Sequence, residues 1–268
     1  MRRIGAKPTA AKAIELKRGL VAHWAFDDGE GVVARNSTRD AHHGALQNMD
    51  AKTAWVTTDL PPMPAGTKNK AALRFDGNNS RVDCDRLGDW GSTRMKSGTI
   101  AFWINTTMKE PVRPVAAIGP EGNGFTTWLN GPGDGHGGEA VYFLIHTGAD
   151  KGHDWILKNQ AGQPFAINDG QWHHIALRWD AVGHMGNIYC DGVQLVSSVF
   201  RHSPSLPNRN SPLTPTDFPD LSDIVILGGR TDASTPFFNG LLDDVRIYDR
   251  MLSEAEIKAL AGVGAEKQ

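Results

Sequence analysis

Apolar and polar residues alternate along most of the chain, which is the pattern of β-strands with one buried face. The first such run places Leu20, Ala22, Trp24 and Phe26 on one face. Further runs cover two strands in residues 71–84 and single strands in 98–107, 124–130, 140–147 and 171–180. Because a half-buried strand needs a second layer to cover it, the pattern predicts an all-β sandwich of antiparallel sheets.

Turn signals separate these runs. Residues 186–198 contain Asp191-Gly192 between two strand-like segments, and this residue pair suits a type I′ turn because both central positions need positive φ. Residues 203–222 hold five prolines and few apolar residues, which predicts a long surface loop.

One helix is predicted, at the end of the chain. Ser253 followed by Glu256 forms a capping box, and the helix that it begins is expected to end near Gly262. Ile257 and Leu260 are spaced to lie together against the sandwich.

Six segments, spread from residue 19 to residue 261, resemble the laminin-G-like family of the concanavalin A-like lectin and glucanase superfamily. They read, in chain order, GLVAHWAFDDGEG with ARNSTRDAHHGAL, LRFDG, GTIAFWINT, WHHIALRWD, IYCDG and FNGLLDDVRIYDRMLSEAEIKAL. The resemblance implies a jelly roll of two antiparallel sheets, one calcium ion near the two ends of the chain, and binding of carbohydrate or protein through loops and the concave sheet. It does not imply one ligand, since this fold hosts lectins, adhesive modules, sensor ectodomains and glycoside-cleaving enzymes.

The net charge and the distribution of apolar residues limit the classes of partner that the sequence predicts. The 268 residues carry a formal net charge of −2, which gives no reason to expect nucleic acid or an anionic membrane as partner. No segment reaches the ~18 apolar residues of a membrane span. Residues 1–18 are basic and Ala-rich and are expected to form a linker or N-terminal extension before a laminin-G-like domain at 19–268. We expect the protein to work outside the cytoplasm. Because this segment itself shows no targeting signal, we expect it to be part of a longer protein that supplies one.

A structural calcium site is expected from oxygen ligands near the two ends of the domain. The candidate ligands are Asp27, Asp28, Asn36, Asp40 and Asp243. Calcium binds six to eight oxygens from carboxylates, amides and carbonyls, and these residues could supply several if their strands are neighbours. Asn36 stands where the resembled pattern has Asp, which removes one charge. Alternatively, these acids are solvated and Asp243 only accepts backbone hydrogen bonds.

Strand parity distinguishes the two adjacent acids of the last strand. Asp243 has the parity of Leu241, Val245 and Ile247, so it is expected on the apolar face, with Asp244 on the opposite one.

Candidate ligand-binding residues are three tryptophans near loops and the polar residues beside them. They are Trp90, Trp128 and Trp155, with Asn130, Asp134, His136 and Asp154. An indole offers a flat apolar surface to a sugar ring, and amides and acids can bind its hydroxyls. The alternative is that each tryptophan packs a loop against a sheet. The other strand tryptophans, Trp24, Trp103, Trp172 and Trp179, are expected in the core.

No catalytic site is predicted. Glucanases of this fold place acids at alternate positions of one strand, and the nearest pattern here, Asp83 and Asp85, has Leu87 in the third place. His173 and His174 are adjacent in a strand, face opposite sides and cannot ligate one metal together. Cys84 and Cys190 lack metal-ligand spacing and are expected to remain unpaired. The alternative is a single bridge between them, since both lie in predicted strands.

These observations favour a non-catalytic recognition module that binds carbohydrate or a glycoprotein, as a monomer, within a larger surface or secreted protein. Two alternatives stay open. One is an adhesive or sensor ectodomain that binds protein, and the other is a glycoside-cleaving enzyme with an unrecognised site.

Overall fold

A computed structural model describes residues 15–38, 42–86, 97–118, 124–129, 141–146, 154–158, 167–180, 185–199, 201–202, 224–229 and 236–263. In these ranges the strands are β1 (Leu20–Trp24), β2 (Val33–Ala34), β3 (Gly44–Gln47), β4 (Trp55–Val56), β5 (Ala72–Asp76), β6 (Arg81–Arg86), β7 (Ser97–Asn105), β8 (Val115–Ile118), β9 (Gly124–Leu129), β10 (Val141–His146), β11 (Asp154–Lys158), β12 (Trp172–Asp180), β13 (Met185–Cys190), β14 (Val193–Val199), β15 (Arg201–His202), β16 (Ile224–Leu227) and β17 (Asn239–Tyr248). The helix is α1 (Glu254–Leu260).

The strands form two antiparallel sheets. The first sheet has the order β14-β13-β12-β7-β17-β5-β4, with β1 paired to β17 as its eighth strand. The second sheet has the order β15-β11-β10-β9-β8-β16-β6-β3-β2. The predicted jelly-roll sandwich of two antiparallel sheets with a short C-terminal helix is confirmed.

The main core lies between the sheets and is built by alternate residues of each strand. On β12, Ile175, Leu177 and Trp179 are fully buried in this core, as period-two alternation requires. Phe102 of β7 and Phe125 of β9 join them from the two sheets. Between these positions, side chains of the first sheet point to its outer face, the face turned away from the second sheet.

Helix α1 covers part of that outer face. Ile257 and Leu260 are fully buried and pack with Tyr189 and Tyr248 in a second cluster, as the helical spacing predicted. The capping box is present, with the Ser253 hydroxyl accepting from the backbone N–H at the third helical position. The N-terminal residues 15–18 also reach this cluster, since Leu16 packs against it.

The predicted tight turn joins β13 to β14. Asp191 has φ 50° and Gly192 φ 74°, so both central residues are left-handed, as a type I′ turn requires. A Cβ on Gly192 would also come within 3.2 Å of Lys258, so the turn packs closely against the C-terminal helix.

Candidate functional site

A groove with a cavity volume of about 450 Å³ opens on the outer face of the first sheet. Four of its lining residues form one row of cross-strand neighbours, Arg74 of β5, Leu241 of β17, Asn105 of β7 and Trp172 of β12. Directly opposed residues of antiparallel strands project from the same face, so the register of four strands brings these side chains together.

Two loops form the rim of the groove. Thr58 and Asp59, which follow Val56 of β4, line it from one loop, and Gly170 and Gln171 line it from the other. The indole N–H of Trp172 donates to the backbone carbonyl of Asp59, which fixes the ring between the two loops.

The groove combines a half-buried aromatic ring with polar groups suited to hydroxyl ligands. Within the described part of the chain, the side chains of Arg74, Asn105 and Gln171 have no hydrogen bond or ion pair to another residue, so their donors remain available. Asp59 is the one carboxylic acid among the lining residues that the structure describes. The lining therefore has no pair of carboxylates of the kind that flanks a glycosidic bond in hydrolases.

The placement of Trp172 corrects the sequence prediction, which assigned it to the core. Trp24 and Trp179 are fully buried in the main core, as predicted. Trp172 is seven positions before Trp179 on the same strand, and an odd separation turns it to the opposite face. Trp103 also points to the outer face, where it is 3 % exposed and its ring meets His174 edge-on at 5.2 Å. The odd separation of Trp172 and Trp179 along β12 could have predicted from the sequence that Trp172 lies on the face opposite to Trp179.

Of the predicted ligand-binding side chains, the structure describes only Trp128. This residue lies in β9 of the second sheet, apart from the groove, and is 8 % exposed, with the Arg113 guanidinium 3.9 Å above its ring centre. The backbone of Asp154 and Trp155 forms part of β11, but their side chains lie outside the described part. The remaining candidates, Trp90, Asn130, Asp134 and His136, lie outside the described residues.

All four predicted calcium ligands that the structure describes accept hydrogen bonds from nearby groups, and Asp27 accepts from the backbone N–H of Lys70 at 2.7 Å. Asp28 accepts from the backbone N–H of Arg35 at 2.8 Å and from its guanidinium at 2.7 Å. The amide oxygen of Asn36 accepts from the backbone N–H groups of His23 at 3.1 Å and Thr38 at 3.0 Å. Around the Asp28 and Asn36 oxygens, these hydrogen-bond donors occupy the space in which a cation would have to bind.

Asp27 and Asp243 belong to a different environment. Asp243 is fully buried and accepts from the Asn69 amide at 2.6 Å. Burial, together with the negative charges of Asp244 and Asp27, raises the pKa of Asp243 to about 8. The other amide atom, Asn69 Oδ1, is buried without a hydrogen-bond partner among the described residues. A divalent cation would compensate the carboxylates and satisfy this oxygen, so Asp27, Asp243 and Asn69 fit calcium. Asp40 lies outside the described residues.

Asp243 does not lie on the apolar face that strand parity predicted, because β17 contains a bulge. The register with β7 shifts between Asp243 and Arg246, and Asp244 has φ 49°. Asp243 is paired with Trp103, which places it on the outer side, and both acids are buried. A bulge inserts one extra residue and so reverses the alternation that follows it.

Asp244 forms a buried ion-pair network between β1 and β17. Its carboxylate lies 2.6 Å from His23 Nε2 and accepts from Arg246 Nε and Nη2 at 3.0 and 2.9 Å. Burial alone would raise the pKa of Asp244, but the bond to His23 and the Arg246 charge outweigh it and lower that pKa. This network holds the first and last strands together.

A cluster of a thiol, an imidazole and carboxylates, which was not predicted from the sequence, lies where the start of β12 meets the end of β13. His173 and His174 face opposite sides, as predicted, and neither cysteine forms a disulfide, also as predicted. Cys190, however, lies beside His173 and Asp191. Burial and the Asp191 carboxylate raise the pKa of the Cys190 thiol, so it stays protonated at neutral pH.

No helix in the described ranges combines the length and the apolar character needed to cross a bilayer.

Comparison with known proteins supports the fold. A laminin G family model, described as the concanavalin A-like lectin/glucanases superfamily, matches residues 76–258. Neuronal pentraxin-1 from Homo sapiens is 33 % identical over 120 residues, which cover 44 % of this chain and 26 % of the pentraxin. The match thus spans about a quarter of that relative.

Two solved structures share the architecture. Domain 4 of AbnA, a GH43 extracellular arabinanase from Geobacillus stearothermophilus, is 19 % identical, with a TM-score of 0.58 and coverage of 90 % of this chain and 98 % of that domain. The binding domain of Paraclostridial Mosquitocidal Protein 1 is 16 % identical, with a TM-score of 0.60 and coverage of 92 % of this chain and 52 % of that one.

Proposed function

Because the chain belongs to the concanavalin A-like lectin/glucanases superfamily, we propose that it is a non-catalytic module that binds carbohydrate or glycoconjugate in the groove of the first sheet. The observation that carries this proposal is the row of Trp172, Asn105, Leu241 and Arg74. A sugar ring would stack on the indole, and its hydroxyls would bond to the amide and the guanidinium.

The similar structures support a binding role. Domain 4 of AbnA was solved in complex with arabinotriose, and the mosquitocidal protein segment is a binding domain. Small-molecule sites in proteins combine apolar and aromatic side chains with a few polar groups, and the groove has this composition. The alternative proposal is an adhesive or sensor ectodomain that binds protein on the same fold. We place the module, as a monomer, within a longer surface or secreted protein.

A structural calcium ion is part of the proposal. Asp27, Asp243 and Asn69 Oδ1 would hold it, and the ion would supply positive charge to a buried acidic pocket. The support is the raised pKa of Asp243 and the unpartnered amide oxygen beside it.

A glycan-array screen, run in calcium and in chelator, tests the function. We expect sugar binding by the wild type, its loss in Trp172→Ala and Arg74→Ala, and its retention in Trp172→Phe, which keeps a flat ring. Val193→Ala serves as the surface control, since Val193 is 63 % exposed on β14 of the same sheet.

Other outcomes would redirect the proposal. Binding that survives Trp172→Ala and disappears in Trp90→Ala would move the ligand site to the loop residues identified from the sequence. A wild-type protein that binds no glycan in either condition would contradict the carbohydrate proposal and favour the protein-binding alternative.

A further inference from the structure

A second cluster of ligand-type atoms lies at the margin of the main core, where β12 meets the turn between β13 and β14. His173 Nδ1 is 2.8 Å from Asp191 Oδ2, Cys190 Sγ is 3.9 Å from the same nitrogen, and Cys190 Sγ is 3.5 Å from Asp191 Oδ2. Among the described residues, this is the one group of three or more His, Cys, Asp or Glu ligand atoms that lie within 4.8 Å of one another.

We propose that His173, Cys190 and Asp191 form a binding site for a divalent transition metal, with zinc the best match. The donor set of one thiolate, one imidazole and one carboxylate is the kind that zinc prefers, whereas calcium takes only oxygen ligands. The site is separate from the proposed calcium pocket and from the groove, and it does not depend on the function of either.

The three distances are close to those of a tetrahedral site. With Zn–S about 2.3 Å and Zn–N or Zn–O about 2.0 Å, tetrahedral angles separate sulfur from nitrogen or oxygen by about 3.5 Å, and nitrogen from oxygen by about 3.3 Å. The two sulfur distances here, 3.9 and 3.5 Å, therefore need little adjustment. The nitrogen and oxygen are closer, at 2.8 Å, because a hydrogen bond now joins them.

A metal-binding histidine usually donates the N–H of its other ring nitrogen to a carboxylate, and Asp169 is the carboxylate that lies beside His173. The other ring nitrogen, His173 Nε2, lies 3.3 Å from Asp169 Oδ1. Once Nδ1 gives up its hydrogen bond to Asp191, a contact of this kind would hold the Nε2–H tautomer and orient the ring, so that Nδ1 could bind a metal. Asp169 is thus a positioning residue.

An ion can reach the site from solvent. The Asp191 side chain is 46 % exposed and that of His173 is 17 % exposed, while the thiol lies beneath them. A water molecule would complete the fourth coordination position. Binding would release the proton of the Cys190 thiol and the proton shared between His173 Nδ1 and Asp191, so that the metal replaces a hydrogen-bonded contact.

Cobalt titration of the metal-free, reduced 268-residue chain tests the site. Cobalt(II) bound to a thiolate gives a charge-transfer absorption, and the chain has only 2 cysteines, so replacing each one in turn assigns the band. We expect the band in the wild type and in Cys84→Ser, its loss in Cys190→Ser and in His173→Asn, and its disappearance when zinc is added. Asp169→Asn should keep the band but weaken cobalt affinity about 10- to 100-fold.

The melting temperature of each variant in chelator shows whether it is folded. Absence of the band in folded wild type at saturating cobalt would overturn the proposal. A band that persists in Cys190→Ser but is lost in folded Cys84→Ser would also overturn it. An unchanged cobalt affinity in Asp169→Asn would overturn the positioning role of Asp169.

Discussion

Replacing Asp243 with Asn should change how the free energy of unfolding depends on pH. Asp243 is fully buried, and burial with two neighbouring carboxylates raises its pKa from 3.8 to about 8. The folded protein therefore favours the neutral acid, which Asn imitates in shape. The Asn69 amide can turn to pair with the new side chain, because its oxygen has no other described partner.

The sign of the effect follows from the two pKa values. In the unfolded chain the carboxyl ionises near pH 3.8, whereas in the folded protein it holds its proton until about pH 8. The stability that the neutral acid contributes is complete below pH 3.8 and falls as the pH rises toward 8. The slope is about 1.4 kcal/mol per pH unit, so the interval from pH 6.5 to 8 accounts for about 2 kcal/mol.

Histidines also titrate in this range. Burial lowers the pKa of His174 from 6.5 to about 4, so its contribution falls as the pH drops from 6.5 toward 4, opposite to that of Asp243. The hydrogen bond to Asp191 raises the pKa of His173, whose contribution is lost as the pH rises above 6.5. Both histidines are present in the wild type and in Asp243→Asn. Subtracting the variant's curve of unfolding free energy against pH from that of the wild type therefore removes their contributions.

Urea unfolding of both proteins in chelator at pH 5, 6.5 and 8 measures that difference. We expect the wild type to lose stability relative to Asp243→Asn at each step. Calcium at a hundredfold excess over its Kd should then stabilise the wild type by about 2.7 kcal/mol at pH 8 and leave the variant nearly unchanged. Parallel pH curves in chelator would refute the buried, neutral state of Asp243, and an absent calcium response would refute the ion.

Three further predictions concern stability and the thiols. Ser253→Ala should lower the free energy of unfolding by about 1 kcal/mol through loss of the helix cap, as measured by urea unfolding. Gly98→Ala should cost about 1 to 3 kcal/mol, because a Cβ there would come 2.3 Å from the buried Trp179 ring, and an unchanged melting curve would contradict this contact. Thiol titration should find Cys84 and Cys190 both reactive in denaturant without reductant, and no reactive thiol would indicate a disulfide.

Local signals predicted the fold well. The Asp191-Gly192 turn and the Ser253 capping box each depend on residues close together in the chain, and both form as expected. Alternation identified the strands because one face of each must be buried.

The site residues depend on how distant strands pair, and the sequence does not reveal that register. Arg74, Asn105 and Trp172 become neighbours only through the order β5-β17-β7-β12. The bulge after Asp243 reverses the alternation of buried and exposed side chains along β17, and no residue type at that position predicts a bulge. His173 and Cys190 likewise approach each other only because β12 pairs with β13.

Isothermal titration calorimetry with a glycan that binds the wild type tests the central claim most directly. If the groove is the ligand site, Trp172→Ala should weaken binding at least tenfold, which corresponds to about 1.4 kcal/mol, while Trp172→Phe should retain most of the affinity. Equal affinity of the wild type and a folded Trp172→Ala variant would contradict the claim.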